Sequence, residues 1–331
     1  MPETTIPIVL VVVTALLFDF TNGWNDAANA VATVVSTRVL SPLQAVILGA
    51  VLNFAGAYLS TRVAKTIGGD ITDPTTITQV AILASMLTAA GWTGLMTRLG
   101  LPISASHSLI GGLIGAAVSA GGFSALKMKG ITKILFALIL SPLFGLLVGF
   151  LFMFILLWIF HRSSPAKVNR YFGKLQLISA GFMALSHGTN DAQKAMGVIT
   201  MALVSGGFLK TLEVPLWVMT ACALAIALGT AVGGWNVIRT LGMNLLKLQP
   251  VHGFAVETSA SVVLLTSASL GLPVSTTHVI TSSIMGVGAT RRLSAVRWGI
   301  ARSIIIAWIF TLPVCAVAAG VIHRILSFAL R

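Results

Sequence analysis

The stretch that decides the fold of this chain is FTNGWNDAAN, residues 20–29, which recurs in reduced form as SHGTNDA, residues 186–192. The two copies share the core Gly-x-Asn-Asp-Ala. Both lie inside long apolar runs, where a carboxylate costs roughly 2.5–3.5 kcal/mol on insertion scales. The aspartates of the two copies, Asp26 and Asp191, therefore need partners inside the protein.

The composition around these motifs is that of an integral membrane protein. Of the 331 residues 56% are apolar and only 9% are charged, whereas soluble domains carry about 25% charged residues. Several apolar runs reach the roughly 20 residues that a helix needs to cross a bilayer. We therefore expect an all-α, multi-pass protein of the cell (plasma or inner) membrane, with the lipid bilayer as its surroundings. Residues 1–3 lack the basic stretch of a cleavable signal, so the first span is expected to remain.

The net charge of +13 does not indicate a nucleic-acid partner. Lysines and arginines cluster in the short links between apolar runs. Membrane proteins show this distribution because basic loops are retained on the cytoplasmic side. Cys222 and Cys315 both lie in apolar runs, which predicts core packing for both thiols.

Four landmarks show that the chain is duplicated. Asp26 and Asp191 are 165 positions apart, and Pro102 and His107 each recur 171 positions later, as does Ser104. We expect a first repeat over residues 1–165 and a second over 166–331. Because each repeat contains an odd number of membrane crossings, the second is expected to insert upside down, which gives an inverted repeat of the kind found in secondary transporters.

The predicted segments follow the same order in both halves, about ten to twelve in all. Each half begins with a discontinuous helix, broken at 22–25 or 188–190, and continues with a span, a helical hairpin that either spans or re-enters, and a long final run. The spans are 43–64 and 215–233, the hairpins are 79–98 with 103–120 and the pair within 253–289, and the long runs are 131–160 and 296–328.

The polar residues in these segments suit ions. Asparagine and aspartate side chains at helix breaks are oxygen ligands for a small cation. The second hairpin arms open with SASHS, residues 104–108, and STTH, residues 275–278, and helix N-termini with hydroxyl groups suit a tetrahedral oxyanion. A third membrane carboxylate, Glu257, corresponds to Met86 in the first half, and this asymmetry indicates a function for it.

The order of these features resembles the inorganic phosphate transporter (PiT) family over nearly the whole chain. The family signature stands here as GWNDAAN, residues 23–29, and its second-half versions as HGTND, residues 187–191, and GFAVET, residues 253–258; GLPVSTTH, residues 271–278, is also similar. The chain departs from many members at Asn53, where they carry glutamate, and in its short mid-chain link.

The resemblance implies symport of phosphate with Na⁺ or H⁺ by alternating access, with no enzymatic activity and no cofactor apart from the coupling ion. A homodimer is compatible with it. We expect Na⁺ at Asp26 and Asp191. The expected cation-binding residues are Asn22, Asp26, Asn190, Asp191 and Glu257, and the expected phosphate-binding residues are Asn25, Ser104, Ser106, Asn190, Ser275, Thr276 and Thr277.

Other interpretations stay open at this point. A sulfate transporter of the same fold, a passive channel, and an intramembrane hydrolase with Asp26 and Asp191 as a carboxylate dyad all use similar residues. Lys194 would neutralise Asp191, contact the substrate or extend to the membrane surface. His107 and His278 are either proton-relay groups or packing residues.

Overall fold

The computed structural model of this chain describes residues 2–290 and 292–329. Over these residues it is all-helical, as the sequence predicts, with two short 3₁₀ turns and one π-helical turn beside the α-helices. The helices are α1 Pro2–Ser36, α2 Pro42–Gly56, α3 Arg62–Gly69, α4 Gln79–Arg98, α5 Ala105–Gly121, α6 Met128–Ile159, α7 Pro165–Ser205, α8 Leu216–Val232, α9 Trp235–Arg239, α10 Pro250–Ser269, α11 Thr276–Ala289 and α12 Trp298–Ala329.

Most predicted segments coincide with helices. The first hairpin arm, 79–98, is α4 to the residue, and the span 215–233 is α8. The long runs are α6 and α12, which continue through Pro142 and Pro313. The second hairpin is α10 and α11, with its break at 270–275.

Both predicted helix breaks are wrong, because α1 and α7 run without interruption through the two Gly-x-Asn-Asp motifs. The glycines serve close packing between helices. A Cβ atom built on Gly188 would collide with the backbone of Asn53 on α2, and one built on Gly23 would collide with the backbone of Ile226 on α8. The polar side chains find partners on neighbouring helices, so the helix backbone keeps its own hydrogen bonds.

The predicted span 43–64 is also wrong as a single helix. The helix α2 ends at Gly56, and the segment read as a polar link forms the short helix α3. Val63, Ala64 and Ile67 are buried on α3 while Lys65 is exposed, so this segment is amphipathic. Similarly, α7 begins at Pro165, inside the basic link between the halves.

Five helices in the described part of the chain are long and apolar enough to cross a membrane: α1, α4, α6, α10 and α12. A sixth is formed if α8 and the segment 235–244, which meet at 63°, make one bent span. The helices α2 and α5 are apolar but shorter. The expected ten to twelve segments are reached only by also counting these shorter helices, α11 and the more polar α7.

The polar helices lie inside the bundle and the most apolar helices lie outside. The motif helices α1 and α7 contact each other; α1 also packs against α4 and α8, and α7 against α10 and α2. The outer helices α6 and α12 pack against α11 and α5 of the opposite half and expose large apolar side chains such as Phe136, Phe154 and Ile309. A continuous apolar outer surface of this kind is suited to lipid.

The short helices of each half hold the hairpin turn of the other half. The hydroxyl of Thr66 on α3 donates to the carbonyl of Gly271 at 2.7 Å, and the hydroxyl of Thr240 donates to the carbonyl of Gly100 at 3.0 Å. Thr66 and Thr240 are 174 positions apart and the two glycines 171. The same contact therefore occurs in both halves. The boundaries 1–165 and 166–331 and the inversion of the repeats stay predictions.

Candidate ion and phosphate site

The aspartates of the two motifs meet in the interior of the protein. Asp26 on α1 and Asp191 on α7 are both buried. The hydroxyl of Thr276, in the first turn of α11, lies 3.0 Å from Oδ2 of Asp26 and 3.1 Å from Oδ2 of Asp191. One hydroxyl carries one proton and donates to one carboxylate at a time. The two acidic groups that the sequence analysis singled out therefore share a donor.

The hydroxyl and amide groups around Asp26 come from α11 and α1. The Thr277 hydroxyl donates to Oδ1 of Asp26 at 2.9 Å and accepts from Nδ2 of Asn29 at 3.0 Å. One turn earlier on α1, Nδ2 of Asn22 lies 3.4 Å from Oδ2 of Asp191. The predicted cation residues Asn22, Asp26 and Asp191 and the predicted phosphate residues Thr276 and Thr277 thus form one cluster.

Asp191 also has two nitrogen neighbours on its own helix. Nζ of Lys194 donates to Oδ1 of Asp191 at 2.8 Å, and both side chains are buried. Nε2 of His187 lies 3.3 Å from Oδ2 of Asp191 and 3.9 Å from Oδ2 of Asp26. Of the three roles open to Lys194, neutralisation of Asp191 matches this geometry, and a fully buried ammonium group does not extend to the membrane surface.

A hydrogen-bond chain fixes the orientation of His187. Nδ2 of Asn53 donates to the hydroxyl of Thr230 at 2.8 Å, which leaves Oδ1 of Asn53 to accept from Nδ1 of His187 at 3.0 Å. With its proton on Nδ1 committed to Asn53, the ring turns Nε2 toward the two carboxylates. Ligand atoms of His187, Asp26 and Asp191 lie within 4.8 Å of one another, a spacing at which they can hold a cation.

The predicted serine hydroxyls form hydrogen bonds with backbone groups. Ser104 and Ser275 cap α5 and α11, accepting from the backbone N–H of His107 at 3.1 Å and of His278 at 3.2 Å. Ser106 donates to the carbonyl of Val274 at 2.9 Å. The Ser106 bond joins the two hairpin turns, and the hydroxyls that reach the carboxylates are those of Thr276 and Thr277.

The motif asparagines next to the aspartates differ in their contacts. Nδ2 of Asn25 donates to the hydroxyl of Thr97 at 2.9 Å, while its Oδ1 has no partner. Asn190 is buried, and among the residues that the structure describes neither its amide nitrogen nor its amide oxygen has a hydrogen-bond partner. A buried amide group left unpaired costs free energy and calls for an explanation, of which a ligand is one.

Glu257 belongs to a separate polar cluster between α1, α7 and α10. Its Oε1 accepts from Thr33 at 2.6 Å and from Nε2 of Gln176 at 2.9 Å, and its Oε2 accepts from Ser179. Three donors satisfy a buried carboxylate locally. A cation-binding role for Glu257 stays a prediction, and the contacts that surround it in this structure come from protein side chains.

The two predicted hairpin histidines contact each other and Trp308 of α12. The ring centroids of His107 and His278 are 4.6 Å apart, and His278 stacks on Trp308 at 3.8 Å. Nδ1 of His107 lies 3.2 Å from the carbonyl oxygen of Trp308. The rings fill the junction of the two hairpin turns, and the two roles considered for these histidines, proton relay and packing, both stay predictions.

Asp19, which lies on α1 one turn before Asn22, is a further buried carboxylate that was not predicted from the sequence. Asp19 is fully buried, no nitrogen or oxygen donor in the described part of the chain reaches its carboxylate, and the Cys222 thiol on α8, a weak donor, faces it. The spacing could have revealed it, since Asp19, Asn22, Asp26 and Asn29 recur every three or four residues on one helix face.

We expect Asp19→Asn to leave the melting temperature of the purified protein nearly unchanged. A buried carboxylate without a cationic partner is stable only when it carries its proton. The substitution then exchanges one neutral group for another of the same shape. A clear rise in melting temperature would show instead that Asp19 is ionised, because the substitution would then remove an unpaired buried charge.

Comparisons with known proteins agree with one another. The model of the phosphate transporter family matches residues 22–319. The "Probable low-affinity inorganic phosphate transporter" of Bacillus subtilis (strain 168) is 46% identical over 322 residues, which cover 96% of this chain and 97% of the relative. The protein of the same name from Rhizobium meliloti (strain 1021) is 45% identical over 311 residues, with 93% of each chain covered.

A solved structure shares the fold. "The sodium-dependent phosphate transporter" superposes with a TM-score of 0.91 at 24% sequence identity and covers 98% of this chain and 100% of its own. With its apolar helices, the chain is a multi-pass helical membrane protein, as predicted, and its family and relatives are transporters, not enzymes. The family match spans most of the chain, and the chain therefore belongs to the phosphate transporter family.

Proposed function

We propose that this chain is a secondary active transporter that carries inorganic phosphate together with Na⁺ or H⁺ across the cell membrane. The observation that carries the proposal is the meeting of Asp26 and Asp191 at the shared hydroxyl of Thr276 in the interior of the bundle. The names of the curated relatives support phosphate as the substrate. The description of the solved structure with the same fold as sodium-dependent supports Na⁺ as the coupling ion.

The charges of the cluster supply the coupling. Two buried carboxylates close together repel an anion, and in an interior of low dielectric this repulsion is strong. Lys194 offsets the charge of Asp191, and a cation bound beside Asp26 offsets the remaining negative charge and so removes the repulsion. Phosphate therefore binds well only after the cation, and this order makes the uphill movement of one depend on the downhill movement of the other.

The phosphate position that we propose is next to the N-terminus of α11. The backbone N–H groups of a first helical turn and the hydroxyls of Thr276 and Thr277 are donors for a tetrahedral oxyanion. The unpartnered amide of Asn190 is a further donor, and Asn25 is its counterpart on α1. Ser104, Ser106 and Ser275 take part by shaping the two hairpin turns through their own hydrogen bonds.

The two halves would act as inverted repeats that expose this site alternately to the two sides of the membrane. The repeated braces, Thr66 to Gly271 and Thr240 to Gly100, join short helices of one half to the hairpin turn of the other. Such contacts suit a rocking of one half against the other around a fixed central site. A homodimer stays compatible with this proposal.

Uptake of labelled phosphate into proteoliposomes tests the function. An inward Na⁺ gradient and an inward proton gradient are imposed in separate experiments. We expect one of them to drive phosphate inside the vesicles above its external concentration, and this accumulation to collapse when that gradient is removed. The gradient that drives accumulation identifies the coupling ion. Phosphate that only equilibrates under both gradients would identify a channel and contradict the proposal.

Competition with sulfate tests the substrate. Protonated phosphate can donate a hydrogen bond to a carboxylate such as Asp26, whereas sulfate at neutral pH has no proton to donate. We therefore expect excess sulfate to leave the uptake of labelled phosphate nearly unchanged. If sulfate inhibits the uptake of labelled phosphate as strongly as unlabelled phosphate does at the same concentration, the protein is a general oxyanion carrier instead.

A further inference from the structure

The two copies of the motif have diverged at two positions that face the aspartates. With the constant offset of 165, Asn25 matches Asn190 and Asp26 matches Asp191, but Asn22 matches His187 and Asn29 matches Lys194. The first copy thus surrounds its aspartate with neutral amides. The second surrounds its aspartate with a lysine and a histidine.

At the second aspartate, the lysine provides a positive charge inside the protein. Nζ of Lys194 lies 2.8 Å from Oδ1 of Asp191, and the side chains are 1% and 0% exposed. This buried ammonium group carries the same charge as Na⁺ and is tethered to the helix that carries the carboxylate. A monovalent ion approaching Oδ1 of Asp191 would have to displace it.

At the first aspartate, the corresponding region presents oxygen atoms. The Oδ1 atoms of Asn22, Asn25 and Asn29 are all buried, and none of them has a hydrogen-bond partner within the described part of the chain. Asn22 lies four residues before Asp26 and Asn29 three residues after it, so these two share its face of α1, whereas Asn25 is its neighbour in sequence. Amide and carboxylate oxygens are the ligands that hard cations prefer.

The charge balance leads to the same assignment. Asp26 and Asp191 contribute two negative charges when ionised, and Lys194 contributes one positive charge. One further positive charge, a coupling cation among the oxygens of α1, makes the cluster neutral. A second exchangeable cation would leave the cluster with an uncompensated positive charge before phosphate arrives.

We propose that the Lys194 ammonium group replaces one coupling cation at Asp191, so that this transporter binds a single exchangeable cation, at Asp26. This inference rests on the proposed function, because it specifies how many ions the proposed site exchanges. A relative with a neutral residue at the lysine position would bind one cation more. The repeat suggests the variant Lys194→Asn as a test, because the first copy of the motif has asparagine, Asn29, at the position that matches Lys194.

The experiment measures how Na⁺ and pH change the melting of the purified full chain in detergent. An ion that binds only the folded state raises the free energy of unfolding. When this free energy is plotted against the logarithm of the ion concentration, the slope gives the number of bound ions. We expect Lys194→Asn to increase the summed slope for Na⁺ and H⁺ by one ion relative to the unmodified protein. The reciprocal variant Asn29→Lys places an ammonium group beside Asp26 and should decrease the sum by one.

A matched control is Lys133→Asn, which removes a lysine from a Lys–Asp pair outside the site. Nζ of Lys133 lies 3.8 Å from Asp70, with both side chains about half exposed, and its loss should leave the ion count unchanged. A Lys194→Asn protein that folds only when Na⁺ is present also supports the inference. Equal slopes in Lys194→Asn and the unmodified protein, or failure of Lys194→Asn to fold at any Na⁺ concentration, overturn it.

The melting experiment is independent of transport. If the unmodified chain accumulates no phosphate in proteoliposomes, the proposed function fails while the ion count can still be read in detergent. If uptake is confirmed but Lys194→Asn binds no additional ion, the function stands and the role of Lys194 as a resident cation is lost. The two failures are therefore distinguishable.

Discussion

Asp26→Asn is expected to abolish cation-driven phosphate uptake while the protein still folds. A unit charge 4 Å from a cation contributes about 4 kcal/mol at an effective dielectric constant of 20, so its removal should weaken cation binding by roughly three orders of magnitude. The amide also has only one oxygen to accept from the hydroxyls of Thr276 and Thr277, which now donate to different oxygens of Asp26. The measurement is the initial rate of labelled phosphate uptake under an imposed cation gradient.

The matched control for this substitution is Asp73→Asn, in the link between α3 and α4. The Asp73 carboxylate also accepts two hydrogen bonds, from the backbone N–H and the hydroxyl of Thr75 at 2.9 and 2.8 Å. It lies outside the cluster, so uptake should remain close to that of the unmodified protein. Asp26→Asn protein that retains both its uptake rate and its cation dependence would remove Asp26 from the site.

Asp191 is less suitable for this test because its loss has two effects. Asp191→Asn removes a carboxylate from the cluster and also leaves the buried ammonium group of Lys194 without its partner. An unpaired buried charge destabilises a protein by about 3–5 kcal/mol. A loss of uptake in that variant would therefore not separate ion binding from folding, whereas Asp26 has no lysine partner among the described residues.

The sequence predicts the helical segments well because their boundaries are local. The breaks at Pro102 and Pro273 follow from the Gly-Leu-Pro sequence that both contain, and the structure places hairpin turns at both, with Gly100 and Gly271 at positive φ. The meeting of Asp26 with Asp191 could also be anticipated, because the repeated motif predicts equivalent positions for the two in the two halves. The cost of a carboxylate in an apolar segment predicts in addition that each has a partner, and the structure gives Thr276 and Thr277 to Asp26 and Lys194 to Asp191.

The sequence does not predict the contacts that depend on register between distant helices. Ser104 and Ser275 are as polar as Thr276 and Thr277, but only the residues one and two positions after the Ser275 cap turn toward the carboxylates. Glu257 is satisfied by three donors from α1 and α7 that no spacing rule connects to it. Such differences arise from how helices pack, and packing is not a local property.

The continuity of α1 and α7 is the clearest failure of local reasoning, and it leads to a prediction about Gly188. Glycine in a helix costs about 1 kcal/mol relative to alanine, which makes Gly-x-Asn-Asp resemble a helix break. In the structure this glycine lets α7 approach α2, and a Cβ atom at Gly188 would stand 2.6 Å from Cα of Asn53 and 2.7 Å from its carbonyl carbon. Backbone atoms cannot move aside as a flexible side chain can.

We expect Gly188→Ala to destabilise the protein by at least 1–3 kcal/mol, the usual cost of overpacking, and to eliminate most phosphate uptake. Displacement of Asn53 removes the acceptor that orients His187, so Nε2 of His187 would no longer face Asp26 and Asp191. Gly91→Ala on α4 is the control, because a Cβ atom there meets nothing within 4 Å; that variant should melt at or above the temperature of the unmodified protein. If Gly188→Ala has the melting temperature and the phosphate uptake of Gly91→Ala, Gly188 is not a packing residue. The proposal that Asn53 on α2 orients His187 would then be wrong as well.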